Sequence, residues 1–233
     1  MYLITGVSRG LGKSIVEELL ANNEKVIGIG RSHSFDHPNF SFISCDLSDI
    51  NSIREIQFPE FNEEVVLINN AGIIGEIKRM SDQETLDLAR VLEVNTIAPA
   101  ELTKLVYNQV ITKDGFTLIN ISSGAANRAI PSWAAYCTSK AALNMLTESF
   151  VVEEREKGYD VVAYAVSPGV IDTDMQSEIR GANPENFSSL DNFKALHEND
   201  DLFSAQEAAK RLLKLISEPF TGEIKVDLRT ISL

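Results

Sequence analysis

Cysteine is scarce: Cys45 and Cys137 are the only two in 233 residues, and they form no Cys-x-x-Cys pair. A disulfide framework and a zinc site are thereby excluded. The histidines His33, His37 and His197 are scattered, with no carboxylates at ligand spacing, so no metal is expected. Basic residues are outnumbered, with 21 Lys and Arg against 34 Asp and Glu, a net charge of −13. Such a surface repels phosphate backbones, so no nucleic-acid partner is expected. No apolar run reaches the ~18 residues of a membrane span, and the opening Met1-Tyr2-Leu3-Ile4 lacks a leader pattern. No membrane association and a cytoplasmic location are the expectations. Repeats and low-complexity segments are absent as well.

What is present is 44% hydrophobic residues and 24% charged ones, enough for one folded core in a single domain. Short β-branched runs alternate with helix-like stretches. Strands are expected at Tyr2–Thr5, Lys25–Gly30, Phe40–Cys45, Glu64–Asn69, Phe116–Ser122, Asp160–Ser167 and Glu223–Leu228. Helices are expected at Gly10–Ala21, Asp49–Gln57, from a capping box at Ser81-Asp82-Gln83-Glu84 to about Ile111, at Trp133–Lys157, and from Ser204 to Ile216. Pro99 should interrupt or restart the third of these helices. Runs such as Val65-Val66-Leu67-Ile68 are apolar on both faces, the mark of a parallel sheet covered on both sides. The alternation makes a doubly wound α/β fold the expectation. The polar stretch 172–203 lacks a strand pattern and reads as a lid over a site; a helical surface excursion would look alike.

Thr5-Gly6-Val7-Ser8-Arg9-Gly10-Leu11-Gly12 joins the first strand to the first helix. Glycines let backbone turn sharply and approach a ligand, and the helix start offers N–H groups and positive dipole to a pyrophosphate. A tight turn with no ligand remains the plain alternative. Nicotinamide cofactors are sorted after the second strand, where an acid takes the ribose 2′-OH and an arginine suits a 2′-phosphate. Here the residues are Gly28-Ile29-Gly30-Arg31-Ser32, with no acid. Arg31 and Arg9 together favour NADP(H), their forks matching phosphate oxygens; the alternative is two solvated loop cations.

Tyr136 and Lys140 lie four apart in Tyr136-Cys137-Thr138-Ser139-Lys140 and share a helix face. An ammonium beside a phenol should lower its pKa, making it a proton donor to a carbonyl at neutral pH. Cys137 points about 100° away on that helix and is expected to pack.

With Thr5–Gly12, Asp46, Asn69-Asn70-Ala71-Gly72, Asn95, Ser123, Tyr136, Lys140 and Pro168-Gly169 in order, the chain resembles the classical short-chain dehydrogenase/reductase family over nearly its whole length. The resemblance implies a Rossmann-type, seven-stranded parallel sheet with helices on both faces, and a reductase or dehydrogenase of a carbonyl/alcohol pair. It implies a catalytic set of Asn95, Ser123, Tyr136 and Lys140; Ser123 rather than Ser122 matches by its distance to Tyr136. Ser123 would hold the carbonyl oxygen and Tyr136 give the proton. Lys140 would bond the nicotinamide ribose, and Asn95 would hold a water in a proton relay. Gly6, Ser8, Arg9, Gly10, Leu11, Gly12 and Arg31 would bind cofactor, with Asp46 and Leu47 at the adenine. Asn70, Ala71 and Gly72 would line its centre, and Pro168, Gly169, Val170, Ile171 and Thr173 its nicotinamide side. The segments Ile121–Ala126, Trp133–Lys140 and Pro168–Gln176 look like the sepiapterin reductase and bacterial benzil reductase branch, which is NADPH-dependent and reduces one carbonyl of a vicinal dicarbonyl. Asp172 and Asp174 are candidates for an acidic contact known in that branch.

Gly124, Trp133 and Met175 are the candidate substrate residues; Ile73 and Ile74 would extend an apolar lining. Core packing would account for these side chains equally. Apolar residues on several faces of Trp133–Lys157 raise the expectation of a homodimer or homotetramer. The expected function is NADPH-dependent reduction of a ketone carbonyl in a small-molecule substrate. Reduction of a 3-oxoacyl or other ketone is the alternative, and a non-catalytic NADPH sensor a remote one.

Overall fold

The computed structural model describes residues 1–233, the side chain of Thr85 excepted. Strands β1 (Tyr2–Thr5), β2 (Val26–Gly30), β3 (Phe40–Ser44), β4 (Val65–Asn69), β5 (Phe116–Ile121), β6 (Val162–Ser167) and β7 (Lys225–Asp227) form one sheet. Their order is β3-β2-β1-β4-β5-β6-β7, and every pairing is parallel. The order reverses between β1 and β4, so the connections from these strands leave in opposite directions and a crevice opens at their carboxyl ends.

Helices α1 (Gly10–Ala21), α2 (Ile50–Arg54), α3 (Thr85–Leu92), α4 (Ala98–Gln109), α5 (Ala134–Glu156), α6 (Asp174–Arg180), α7 (Leu190–Glu198) and α8 (Ala205–Ser217) complete the fold. The sheet is buried on both faces, as its double-sided apolar runs require. One face joins Leu3, Leu67 and Leu118 to Leu102, Val106 and Val151 of α4 and α5. The other joins Ile4, Ile68 and Ile119 to Ile15, Leu19 and Leu212 of α1 and α8. Ser204 caps α8, its Oγ accepting from the Glu207 N–H at 3.0 Å.

Two expectations change in detail. Strand β1 keeps its expected bounds and the other six strands are shorter at their ends, because apolar pattern marks the middle of a strand better than its last pairing. Ser81 does not cap a helix: Met80–Asp82 is a 3₁₀ turn, and α3 starts after Glu84, with no side-chain cap. The third helix is interrupted, as Pro99 led us to expect. A π segment, Glu93–Ile97, separates α3 from α4, and Pro99 sits in the first turn of α4, where its missing N–H costs nothing.

Segment 172–203 carries α6 and α7. It is clipped at its base, where the Asp172 N–H donates to the Phe203 carbonyl at 3.0 Å and the Phe203 N–H to Val170 at 2.9 Å. Among the described residues no helix is long and apolar enough to cross a membrane, and no cluster of His, Cys, Asp and Glu is built to hold a metal.

Candidate active site

The glycine turn after β1 is stitched to the end of β4. Thr5 Oγ1 accepts from the main-chain N–H of Asn70 (2.9 Å) and of Ala71 (3.0 Å). The Asn70 amide donates back to the carbonyls of Thr5 (2.9 Å) and Gly6 (3.1 Å). This holds the turn so close that a Cβ on Gly12 would lie 2.2 Å from the Gly6 carbonyl oxygen and 2.4 Å from the Asn70 amide nitrogen. Gly10 has φ +56°, a conformation that side chains resist. Arg9 stands at the N-cap of α1, which no side chain caps and whose first turn carries no acid. Backbone donors at that helix start therefore face the turn unmatched by a side chain.

Across the crevice, β5 delivers Ser122 and Ser123, and α5 delivers Tyr136 and Lys140. Helix α5 is fixed by a stripe of buried polar contacts. Ser122 Oγ donates to Asn144 Oδ1 at 2.5 Å, and the Asn120 amide donates to Thr147 Oγ1 at 2.8 Å. Ser139 Oγ donates to the Tyr136 carbonyl at 2.8 Å and accepts from the Asn95 amide at 3.0 Å. Asn95 is fully buried in the π segment, where its side chain also pairs both ways with the main chain of Ile73, each bond 2.9 Å. Both amide hydrogens of Asn95 are thereby used. Sequence reasoning missed Ser139, which looks like a filler between Tyr136 and Lys140.

Lys140 is buried, and its Nζ donates to the Ile121 carbonyl at 2.7 Å. The same Nζ lies 5.8 Å from the centre of the Tyr136 ring. Burial pushes the ammonium down to about 8. The Tyr136 phenol is buried too, and that burial raises its pKa, with Ser123 opposing by a hydrogen bond to the phenolate and Cys137 adding slightly to the rise. The expected fall in the phenol's pKa is therefore not seen: desolvation outweighs the Ser123 hydrogen bond, and the Lys140 ammonium is turned to a carbonyl. Ser123 Oγ also accepts from the Ala125 N–H at 3.1 Å.

The other expected cofactor residues ring the crevice. A Cβ on Gly72 would lie 3.2 Å from Asn95 Oδ1 and 3.4 Å from Lys140 Nζ, so only a glycine leaves that approach clear. Gly169 has φ +82°, and Ile171 bridges to Phe203. Thr173 packs its methyl group towards Gly10. Leu47 is buried, whereas Asp46 accepts from Ser48 and has its carboxyl held low by those bonds, with Arg31 a smaller contributor. Arg31 is exposed and forms no ion pair among the described residues. Arg9 is paired with Asp174 of α6 at 2.8 Å, both side chains exposed. Asp172 pairs with Arg180 at 3.5 Å.

Of the substrate candidates, Gly124 is exposed beside Ser123. Trp133 and Met175 join an apolar cluster with Ile74, Tyr136, Phe187 and Phe193. The Trp133 ring meets Tyr136 edge-on at 5.6 Å and stacks on Phe187 at 5.5 Å. Phe187 and Phe193 escaped the sequence reading because they sit singly in a polar stretch; their aromatic character was the available signal. Cys137 packs against this cluster, as expected, and Cys45 is buried. A glycine cradle, an uncapped helix start and a buried ammonium beside Gly72 together fit a pyridine dinucleotide.

The chain matches the short chain dehydrogenase family over residues 1–184. It is 36% identical over 241 residues to a benzil reductase ((S)-benzoin forming) of Bacillus cereus, covering 95% of this chain and 96% of that protein. Sepiapterin reductase of Rattus norvegicus is 28% identical over 262 residues, covering 98% and 96%. The crystal structure of the short chain dehydrogenase/reductase YIR035C from Saccharomyces cerevisiae superposes with a TM-score of 0.83 at 26% identity, covering 97% of this chain and 95% of that one. The chain belongs to the short-chain dehydrogenase/reductase family, and is an oxidoreductase of the NAD(P)(H)-using kind.

Proposed function

We propose that this protein is an NADPH-dependent reductase of a ketone carbonyl, acting on a vicinal dicarbonyl. The observation that carries the reading is the convergence of Ser123, Tyr136 and Lys140 on the crevice beside the glycine turn. A bound nicotinamide supplies hydride to the carbonyl carbon. Ser123 holds the carbonyl oxygen, and Tyr136 gives it a proton. A phenol kept protonated by burial is a donor throughout the neutral range. Lys140 would bond the cofactor's ribose, and its ammonium steadies the phenolate left on Tyr136 when the proton leaves. Asn95 positions the strand-end residue Ile73 and, through Ser139, the turn of α5 that carries Tyr136. A water on its main chain, where the π turn loosens the helix ladder, refills the proton.

Gly6, Ser8, Gly10, Leu11 and Gly12 hold the pyrophosphate, Asp46 and Leu47 the adenine, and Asn70, Ala71, Gly72 and Pro168 to Thr173 the remainder. Arg31, unpaired and just past β2, takes the 2′-phosphate, with Arg9 exchanging Asp174 for it. Segment 172–203 is the lid, and its phenylalanines make an aromatic wall suited to an aryl ketone. The similarity to the Bacillus cereus benzil reductase, across nearly the full length of both chains, supports a substrate with two adjacent carbonyls.

Tyr136→Phe is expected to lower turnover about 10²–10⁴-fold, followed by NADPH absorbance with benzil, sepiapterin, 1-phenyl-1,2-propanedione and a 3-oxoacyl thioester. Turnover of the thioester alone would replace the dicarbonyl reading with the 3-oxoacyl one. NADPH should be preferred over NADH, and Arg31→Ala should cut that preference about 10-fold or more; equal rates before and after would remove the phosphate assignment.

Lys140 gives a pH signature in the free protein. The folded side chain releases its proton near pH 8, whereas the unfolded one keeps it to about 10.4. Between these values the unfolded state binds more protons, so this residue makes stability rise with pH. Lys140→Met should remove the rise. The wild-type-minus-variant unfolding free energy in urea should then climb by about 2–3 kcal/mol from pH 7 to pH 10.

Exposed Ile97, Met145, Leu146 and Val152, on the π segment and on α5, support pairing of two chains through that face. Light scattering at micromolar concentration should report a homodimer or homotetramer rather than a monomer.

A further inference from the structure

Trp133 raises a question that the reaction described above leaves open. Its side chain is 5% exposed, and its indole N–H is buried with no hydrogen-bond partner among the described residues. A buried donor without an acceptor is costly and is rare in folded proteins. The apolar side chains packed around it, Ile74, Ile179, Phe187 and Phe193, with Tyr136 on one edge, supply none. The indole is nevertheless held firmly in place. Phe187 stacks on it at 5.5 Å with 15° between planes, and Phe193 leans against it at 5.1 Å. The residue before it, Ser132, has φ +69°, a left-handed conformation uncommon for a side-chain-bearing residue. Ser132 Oγ donates to the Asn186 carbonyl, next to Phe187. Strain and a tether thus fix the indole against the lid, and strained backbone of this kind clusters at ligand-holding sites.

We propose that the Trp133 indole N–H is the donor for a second carbonyl oxygen, so that it selects 1,2-dicarbonyls over simple ketones. Trp133 stands one helical turn before Tyr136, and their rings are 5.6 Å apart. A substrate oxygen held by Tyr136 and Ser123 leaves the oxygen on the adjacent carbon beside these apolar side chains, where this N–H is an unmatched donor. A monoketone of the same shape leaves the donor unmatched, and sites built to bond a polar group discriminate strongly against ligands that lack it. Phe187 and Phe193 accept the ring on the far carbon. This assignment rests on the reading of the site as a dicarbonyl reductase.

The test compares benzil with deoxybenzoin, the same skeleton with one carbonyl reduced to methylene. Trp133→Phe should cut kcat/KM for benzil about 10–100-fold more than it cuts that for deoxybenzoin. Equal losses on both ketones, or none on benzil, would overturn the assignment. A second readout avoids both the variant and turnover. The chain has one tryptophan, so ¹⁵N labelling gives one indole N–H resonance. With oxidised NADP bound to the wild-type protein, benzil should move its proton downfield and deoxybenzoin should not. A stationary resonance sinks the proposal whatever the activity. A moved resonance in a protein that fails to reduce benzil would keep the subsite and refute the reaction.

Discussion

The structure is organised around one expensive group, the ammonium of Lys140 buried at the carboxyl end of the sheet. Removing a charge from water costs several kcal/mol unless acceptors replace the solvent. An ammonium has three donors, and the Ile121 carbonyl takes one of them. The penalty appears directly as a pKa brought down to about 8. Keeping the group there requires that α5 cannot slide or tilt, and the polar stripe along that helix meets the requirement. Ser139, Asn144 and Thr147 each bond to a different neighbour: the π segment, the end of β5 and the middle of β5. Asn69 extends the chain by donating to Asn120 at 2.9 Å. These contacts are individually modest, but each occupies a polar group that would be costly to leave unmatched.

The opposite wall of the crevice is shaped by closeness rather than by charge. Gly12 and Gly72 mark places where a single added carbon would collide with the turn or with Lys140 and Asn95. Asn70 joins these walls, because its side chain fixes the glycine turn while its main chain leads to Gly72. A net charge of −13 would repel a phosphorylated cofactor at a distance. Local N–H groups at the start of α1 and the cation Arg31 oppose that field where it counts, and the Debye length of ~8 Å in physiological salt confines the contest to near neighbours.

Much of this was legible in the residues. Alternating β-branched runs and amphipathic stretches gave all seven strands and their parallel arrangement, since burial on both faces leaves no other pattern. The turn Thr5–Gly12 and the pair Tyr136/Lys140 were visible because each depends on short, local spacing. Other features were hidden because they depend on tertiary partners. Ser81-Asp82-Gln83-Glu84 reads as a capping box, yet Asp87, inside α3, accepts instead from the Glu76 N–H, and Ser81 bonds Asp82 within its own turn. The π segment has no sequence signature, and Asn95 finds its partners 22 and 44 residues away. The phenol's pKa went the other way because spacing along a helix gives proximity and says nothing of burial. Phe187 and Phe193 became visible only through their packing on Trp133 in the folded chain.

The charge states have a consequence for direction. Reduction of a ketone consumes a proton at the oxygen, and oxidation of the alcohol requires a base there. Burial keeps Tyr136 as the phenol, so the free site already holds the proton that the proposed reduction needs. Ser123 opposes the rise by favouring the phenolate, which eases transfer once a carbonyl oxygen arrives to take the proton. An ammonium near pH 8 is charged over most of the neutral range, and its field then favours the anion left behind. The reverse reaction would have to begin from a phenolate in a desolvated pocket, the form that the same burial penalises. The buried polar end of α5 thus keeps Tyr136 in the protonated form from which the proposed reduction starts.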